Sequence, residues 1–175
     1  MRKILAIFLL FALLAACNSL RSTSSQVTAT ANSQHCFYEW ATQPLTELSA
    51  KVQAAINTAG LTGVSATAEA YGENCIDIQT NKPVSFSTLE TDFHIEVKVA
   101  SLIDKKDLGN LLEKVLVVLD TFPPGGIPGP QPGNITISFQ NGNDEINLMF
   151  SVPAGKSARL LGLHGAALME KLQEK

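Results

Sequence analysis

The stretch Thr91-Asp92-Phe93-His94-Ile95-Glu96-Val97-Lys98-Val99 alternates without a fault. Phe93, Ile95, Val97 and Val99 fall on one side, and Asp92, His94, Glu96 and Lys98 on the other. Side chains of a strand switch faces at every residue, so this is a strand with one dry face and one wet face. It constrains the rest of the chain severely. Something apolar must cover the dry face, and the wet face is left to solvent or to a partner.

Further segments of the same kind surround it. Val64, Ala66, Ala68 and Ala70 make a small-residue face that lets a helix come close, and Gly72-Glu73-Asn74 reads as a turn into a short partner strand, Cys75 to Ile78. Ile135, Ile137 and Phe139 define another strand, and Ile146, Leu148, Phe150 and Val152 one more. Asn141-Gly142-Asn143 between these two is a hairpin signal. The covering elements have the helical period. Pro44 suits a first helical turn, Leu45, Leu48, Val52, Ile56 and Ala59 recur at three- and four-residue spacing, and Gly60 is the expected stop. Asp104 can cap a second helix running to about Leu119, whose last turns are apolar nearly all round and should be deeply buried. A third helix is expected from about Ala154 to the C-terminus, with Leu161, Leu168 and Leu172 inward. The predicted fold is therefore α+β: two layers, an antiparallel-rich sheet of about five strands with three helices on one face, in the order α-β-β-β-α-β-β-α. A helix, a strand, a Gly/Asn turn and a strand occur twice in it, a weak internal echo.

The N-terminus has a different character. Arg2 and Lys3 precede an unbroken apolar run from Ile4 to Leu14, and small residues then lead to a cysteine in Leu14-Ala15-Ala16-Cys17. The run is too short to span about 30 Å of hydrocarbon, which makes it an export signal rather than a permanent span. Leu-Ala-Ala-Cys resembles the lipobox of bacterial lipoproteins. The resemblance covers these seventeen residues only. It implies cleavage before Cys17, a diacylglyceryl group on the Cys17 thiol, and export with lipid anchoring at the outer face of the plasma membrane or in the outer membrane. Acyl chains contribute about 0.8 kcal/mol per buried CH₂, so two or three of them hold a protein to a membrane for good. Asn18 follows, rather than the aspartate that retains some lipoproteins in the inner membrane. Residues 18–34 are mostly Ser, Thr, Asn and Ala and cannot bury enough surface to offset ordering, so they read as a flexible tether. The division is thus 1–16 signal peptide, 17–34 lipidated tether and 35–175 a single α+β domain. That domain resembles only the small uncharacterised lipoproteins of bacteria, from which no activity carries over.

Cleavage removes Arg2 and Lys3 from the thirteen basic residues and none of the sixteen acidic ones, leaving a net charge of −5. A mildly acidic chain of about 159 residues is one domain, and it is a poor partner for nucleic acid or anionic headgroups, which need clustered Lys and Arg. With Cys17 assigned to lipid, Cys36 and Cys75 remain as an even pair in an exported chain, and a structural disulfide is expected. Beside it, Phe37-Tyr38-Glu39-Trp40 reads as an aromatic plug at the start of the domain, with binding through Tyr38 and Trp40 as the other reading.

No constellation for catalysis stands out. Ala154-Gly155-Lys156-Ser157 has the tail of a phosphate loop, but Phe150 stands where its first glycine belongs, so no nucleotide site is expected. His35, His94 and His164 share no metal-ligand spacing, so neither metal nor cofactor is expected. Asp92, His94 and Glu96 share the wet face of one strand, about 6–7 Å apart, and are candidate binding residues or a solvated charged surface. The long connection Phe122 to Gly133 carries Pro128, Pro130 and Pro132 and can be a plain loop or a recognition segment, with Pro128 and Pro130 as candidate contacts. The expectation is a non-enzymatic, lipid-anchored binding module for a protein or other envelope component, an envelope protein being one candidate partner. The alternatives are an envelope-polymer hydrolase working with surface carboxylates (Asp92 with Asp144 or Glu145) and an inhibitor that inserts the 123–133 loop into an enzyme.

Overall fold

Five strands hydrogen-bond in strict chain order, each beside the next. The computed structural model describes residues 36–174, which make one compact unit. The elements are β1 (Cys36–Pro44), α1 (Thr46–Thr58), β2 (Val64–Asp77), β3 (Pro83–Lys98), α2 (Lys105–Leu119), a 3-10 turn (Pro124–Gly126), β4 (Gln131–Asn141), β5 (Asp144–Ser151), α3 (Val152–Leu160) and α4 (Gly165–Gln173). The fold class is α+β, as read from the sequence. The β1/β2, β2/β3 and β4/β5 pairs are antiparallel, and β3/β4 is parallel. Parallel neighbours need a crossover, and α2 with the proline-rich connection supplies it.

The dry face is the one the alternation marks. Ala66, Ala68, Phe93, Ile95, Val97, Ile135, Ile137, Phe139 and Leu148 are buried against Val52, Ile56, Leu112, Val115 and Leu168 of the helices. The opposite face carries His94, Glu96 and Lys98, all exposed. In α2, Asp104 caps the helix by accepting from the backbone N–H of Lys106 and Asp107. This satisfies two of the donors that every helix start leaves without a partner. Gly109 lets α2 meet α4, because a Cβ there would overlap the Gly165 carbonyl.

The element order differs from expectation in three places. The aromatic stretch 36–44 is a strand rather than a plug before a helix, and Pro44 ends it at a sheet edge, where its missing N–H costs nothing. Gly72-Glu73-Asn74 is not a turn: β2 runs straight through it to Asp77. Gly72 sits at a bulge where β3 skips Leu89, and a Cβ there would overlap the Ser87 carbonyl. The glycine is needed for close backbone approach, and the sequence offers no way to tell that from a reversal. The true reversal is Asp77–Lys82, with Asn81 at φ 52°. Finally, the expected third helix is two helices. Gly162, at φ 71°, breaks it after Leu161, which is left 73% exposed rather than inward.

Candidate functional site

Two places on the described unit depart from an ordinary covered sheet: the β1 edge and a pocket under the proline-rich loop. Of the sequence candidates, Tyr38 and Trp40 lie on the first and Pro130 lines the second, while His94 and Glu96 lie at neither.

β1 lies at the margin of the sheet with β2 as its one strand neighbour. Its side chains are uncovered on either face: Phe37 is 47%, Tyr38 67% and Trp40 56% exposed. Trp40 stacks on Tyr71 of β2, with ring centroids 5.2 Å apart and planes 6° from parallel. The two are diagonal neighbours across the β1/β2 pair, since Trp40 stands opposite Glu73 and Thr42 opposite Tyr71. Such contacts lie within reach of aromatic side chains. The Cys36–Cys75 disulfide ties the start of the strand to β2, with Cα atoms 5.4 Å apart. The strand is therefore held firmly while its aromatic groups stay in solvent. Neither β1 nor β2 carries a Lys or Arg, whereas Glu39, Glu69 and Glu73 lie on them, so this end of the sheet is acidic as well as aromatic.

The wet-face triad does not form a working cluster. Asp92 Oδ1 accepts from the Asn134 backbone N–H at 2.7 Å and from its side-chain amide at 3.3 Å. The pairing of β3 with β4 slips at this point, between Thr91 and Phe93, and the Asp92 carboxylate satisfies a donor that the ladder has lost. His94 Nε2 lies 3.8 Å from Glu69 Oε2, with both side chains more than 40% exposed, a pair of little energetic weight in water. Glu96 accepts from the Ser65 hydroxyl at 3.4 Å. Glu145 stands opposite Gln140, six residues along β4 from Asn134, the neighbour of Asp92. That is about 20 Å along a strand, twice the span over which two carboxylates share a glycosidic bond.

The other histidine in the described residues, His164, meets Glu113 Oε1 through Nδ1 at 2.9 Å, next to the start of α4. Among the described residues no three His, Cys, Asp or Glu side chains converge as a metal site would require. Ala154-Gly155-Lys156-Ser157 forms the first turns of α3, with Ser151 as the cap.

Pro128 and Pro130 belong to a loop that turns back on the body. The Thr91 hydroxyl, on a residue only 1% exposed, donates to the Pro128 carbonyl at 2.7 Å, and Ile127 packs against the core. The loop roofs a pocket of about 370 Å³ whose walls include Phe93, Leu116, Leu119, Ile135 and Val152. Cys17 and the signal and tether segments lie outside the described residues, as does His35. No described helix is long and apolar enough to cross a membrane.

No protein-family model matches the chain, and comparison with curated proteins and with solved structures finds no match.

What sequence reasoning missed here is that the aromatic stretch is an exposed strand at the margin of the sheet. Its composition, three aromatics in four residues beside a cysteine, looks like core. Its outer position could have been suspected from Pro44.

Proposed function

We propose that the chain is a lipid-anchored envelope protein that works as a binding module, holding a protein partner through β1 at the membrane surface. The observation that supports this is a nine-residue edge strand with exposed Phe37, Tyr38 and Trp40. Natural sheets blunt such edges with charge, proline, cover or brevity. β1 has Glu39 and a terminal Pro44 but no covering element among the described residues, and a long aromatic edge can template a further strand. Tyr and Trp are also the side chains over-represented where binding energy concentrates. The anchor read in Leu14-Ala15-Ala16-Cys17 would supply the location, and residues 18–34 the reach.

The test is a crosslinked-envelope pull-down with the lipidated chain, run beside Cys17→Ser and a Tyr38→Ala/Trp40→Ala variant. One stoichiometric protein partner is expected. It should be lost from the Cys17→Ser sample and depleted at least tenfold from the double variant, since two buried aromatic anchors contribute more than the roughly 1.4 kcal/mol per decade required. Equal capture by the double variant, with its fold intact by circular dichroism, would refute binding through β1. Recovery of cell-wall or polysaccharide fragments in place of a protein would favour the hydrolase reading instead.

A further inference from the structure

The pocket beneath the proline-rich loop is separate from β1, and its walls and charges select a different kind of ligand. Its volume of about 370 Å³ falls in the range of small-molecule sites, which span roughly 300–1,000 Å³. The floor is apolar: Phe93 and Ile135 from the sheet, Leu116 and Leu119 from α2, and Val152 at the start of α3. The roof is the loop that carries Pro123, Pro124, Pro128, Pro130 and Pro132. Each proline fixes one backbone dihedral, and the Thr91 hydroxyl fastens the middle of the loop through the Pro128 carbonyl. The cavity therefore exists before any ligand arrives, so little ordering is left to oppose binding.

Two charged side chains border it, Asp120 and Lys156. They are not equivalent. The Asp120 carboxylate is ion-paired with the Arg159 guanidinium, which neutralises it. Lys156, an exposed residue, lines the cavity and makes no ion pair or side-chain hydrogen bond among the described residues, so its ammonium is free to turn toward a ligand in the mouth. The lining thus includes one positive side chain with no ion-pair partner among the described residues, beside largely apolar walls.

The geometry points to a binding site for a small amphipathic carboxylate, its apolar body under the proline roof and its carboxylate on Lys156. A neutral hydrocarbon would leave the ammonium unused. A cation would be repelled by it and would find Asp120 already occupied. The loop flagged in the sequence for its prolines is then the lid of a preformed pocket, and Pro128 acts through its carbonyl rather than as a polyproline ligand.

Decanoate is the probe. It is titrated into the chain from residue 17 onward carrying Cys17→Ser, with methyl chemical shifts followed by NMR. Saturable one-to-one binding is expected, with shifts at Leu116, Leu119, Ile135 and Val152. Lys156→Gln should weaken it about tenfold or more by removing one charge-assisted contact. Lys114→Gln, on the exposed side of α2, should leave it unchanged. Decylamine and decanol should both bind at least tenfold more weakly than decanoate. The proposal is overturned if decanoate gives no saturable shifts at these methyls. Equal affinity for decanol, or for decanoate in Lys156→Gln, would overturn it as well, and neither comparison depends on the β1 partner.

Discussion

The two halves of one edge of β2 are treated in opposite ways. From Val64 to Ala68 the edge has no strand beside it, and α1 seals it with side chains. Ser49 Oγ accepts from the Ala68 N–H, Gln53 Oε1 accepts from the Ala66 N–H, and Gln53 Nε2 donates to the Val64 carbonyl, at 2.8, 2.8 and 3.0 Å. Leu45 adds a backbone bond to the Ala68 carbonyl at 2.9 Å. From Glu69 to Asp77 the same edge is occupied by β1, and the outward edge of β1 carries no such seal among the described residues. The chain thus holds a means of closing an edge and applies it to one half only. Among the described residues the two halves therefore differ in how their edge hydrogen-bonding groups are met, and the proposed use of β1 as a docking edge rests on that difference.

The largest effect that separates the halves should come from the disulfide. It closes a loop of sequence separation 39, which the chain-entropy account values at about 3–4 kcal/mol. Replacing both Cys36 and Cys75 by Ala should lower unfolding stability by that order in a denaturant titration. In hydrogen exchange, the β1 amides should lose protection before those of Val64 to Ala68. Simultaneous loss in both halves would mean that β1 is held by the sheet as a whole and not by its covalent tie.

The seal itself comes next. Gln53→Ala leaves the Ala66 N–H without its acceptor in a half-buried setting, which costs about 1–3 kcal/mol. Gln43→Ala, on exposed β1, should stay within about 0.5 kcal/mol of the parent chain. Equal losses from the two substitutions would show that the edges do not differ in the way their hydrogen bonds suggest.

Much of this contrast was hidden in the sequence, and particular residues show why. The dry faces were legible because Phe93, Ile95 and Val97, like Ile135, Ile137 and Phe139, repeat with period two and find cover. The cap of α2 was legible because Asp104 acts on N–H groups two and three residues away. Long-range partners were not. Gln53 and Ser49 look like polar positions on a surface helix, and nothing local says that their acceptors meet a strand edge. Asp92 looked like half of an acid pair, but its partner is a backbone N–H 42 residues away at a slip in the sheet. The pocket was legible only as an unusually long, proline-rich connection, because its floor comes from four other elements.

The smallest expected effect concerns the turn that ends the open half. Asp77 Oδ1 accepts from the Thr80 N–H at 2.7 Å, from the Thr80 hydroxyl at 2.9 Å and from the Gln79 N–H at 3.0 Å. The Thr80 backbone bond does most to hold the Asp77 carboxyl below its ordinary value, followed by the Thr80 hydroxyl. A carboxyl whose folded value is depressed contributes stability above its unfolded value of about 3.9, and that contribution fades as pH falls through the folded value. Removing the hydroxyl while keeping the N–H, as Thr80→Val does, should move the Asp77 titration part of the way back up. Carboxyl ¹³C shifts between pH 2 and 6 would show this directly. The stability change should be slight because the turn is exposed, and it should be fully present above about pH 4 and fade below it. Cys36 stands opposite Asp77, so a looser turn should also raise exchange at the tied end of β1 and leave the Gln53-sealed end unchanged. Raised exchange at both ends would mean that the two halves communicate through β2 and cannot be regarded as independent edges.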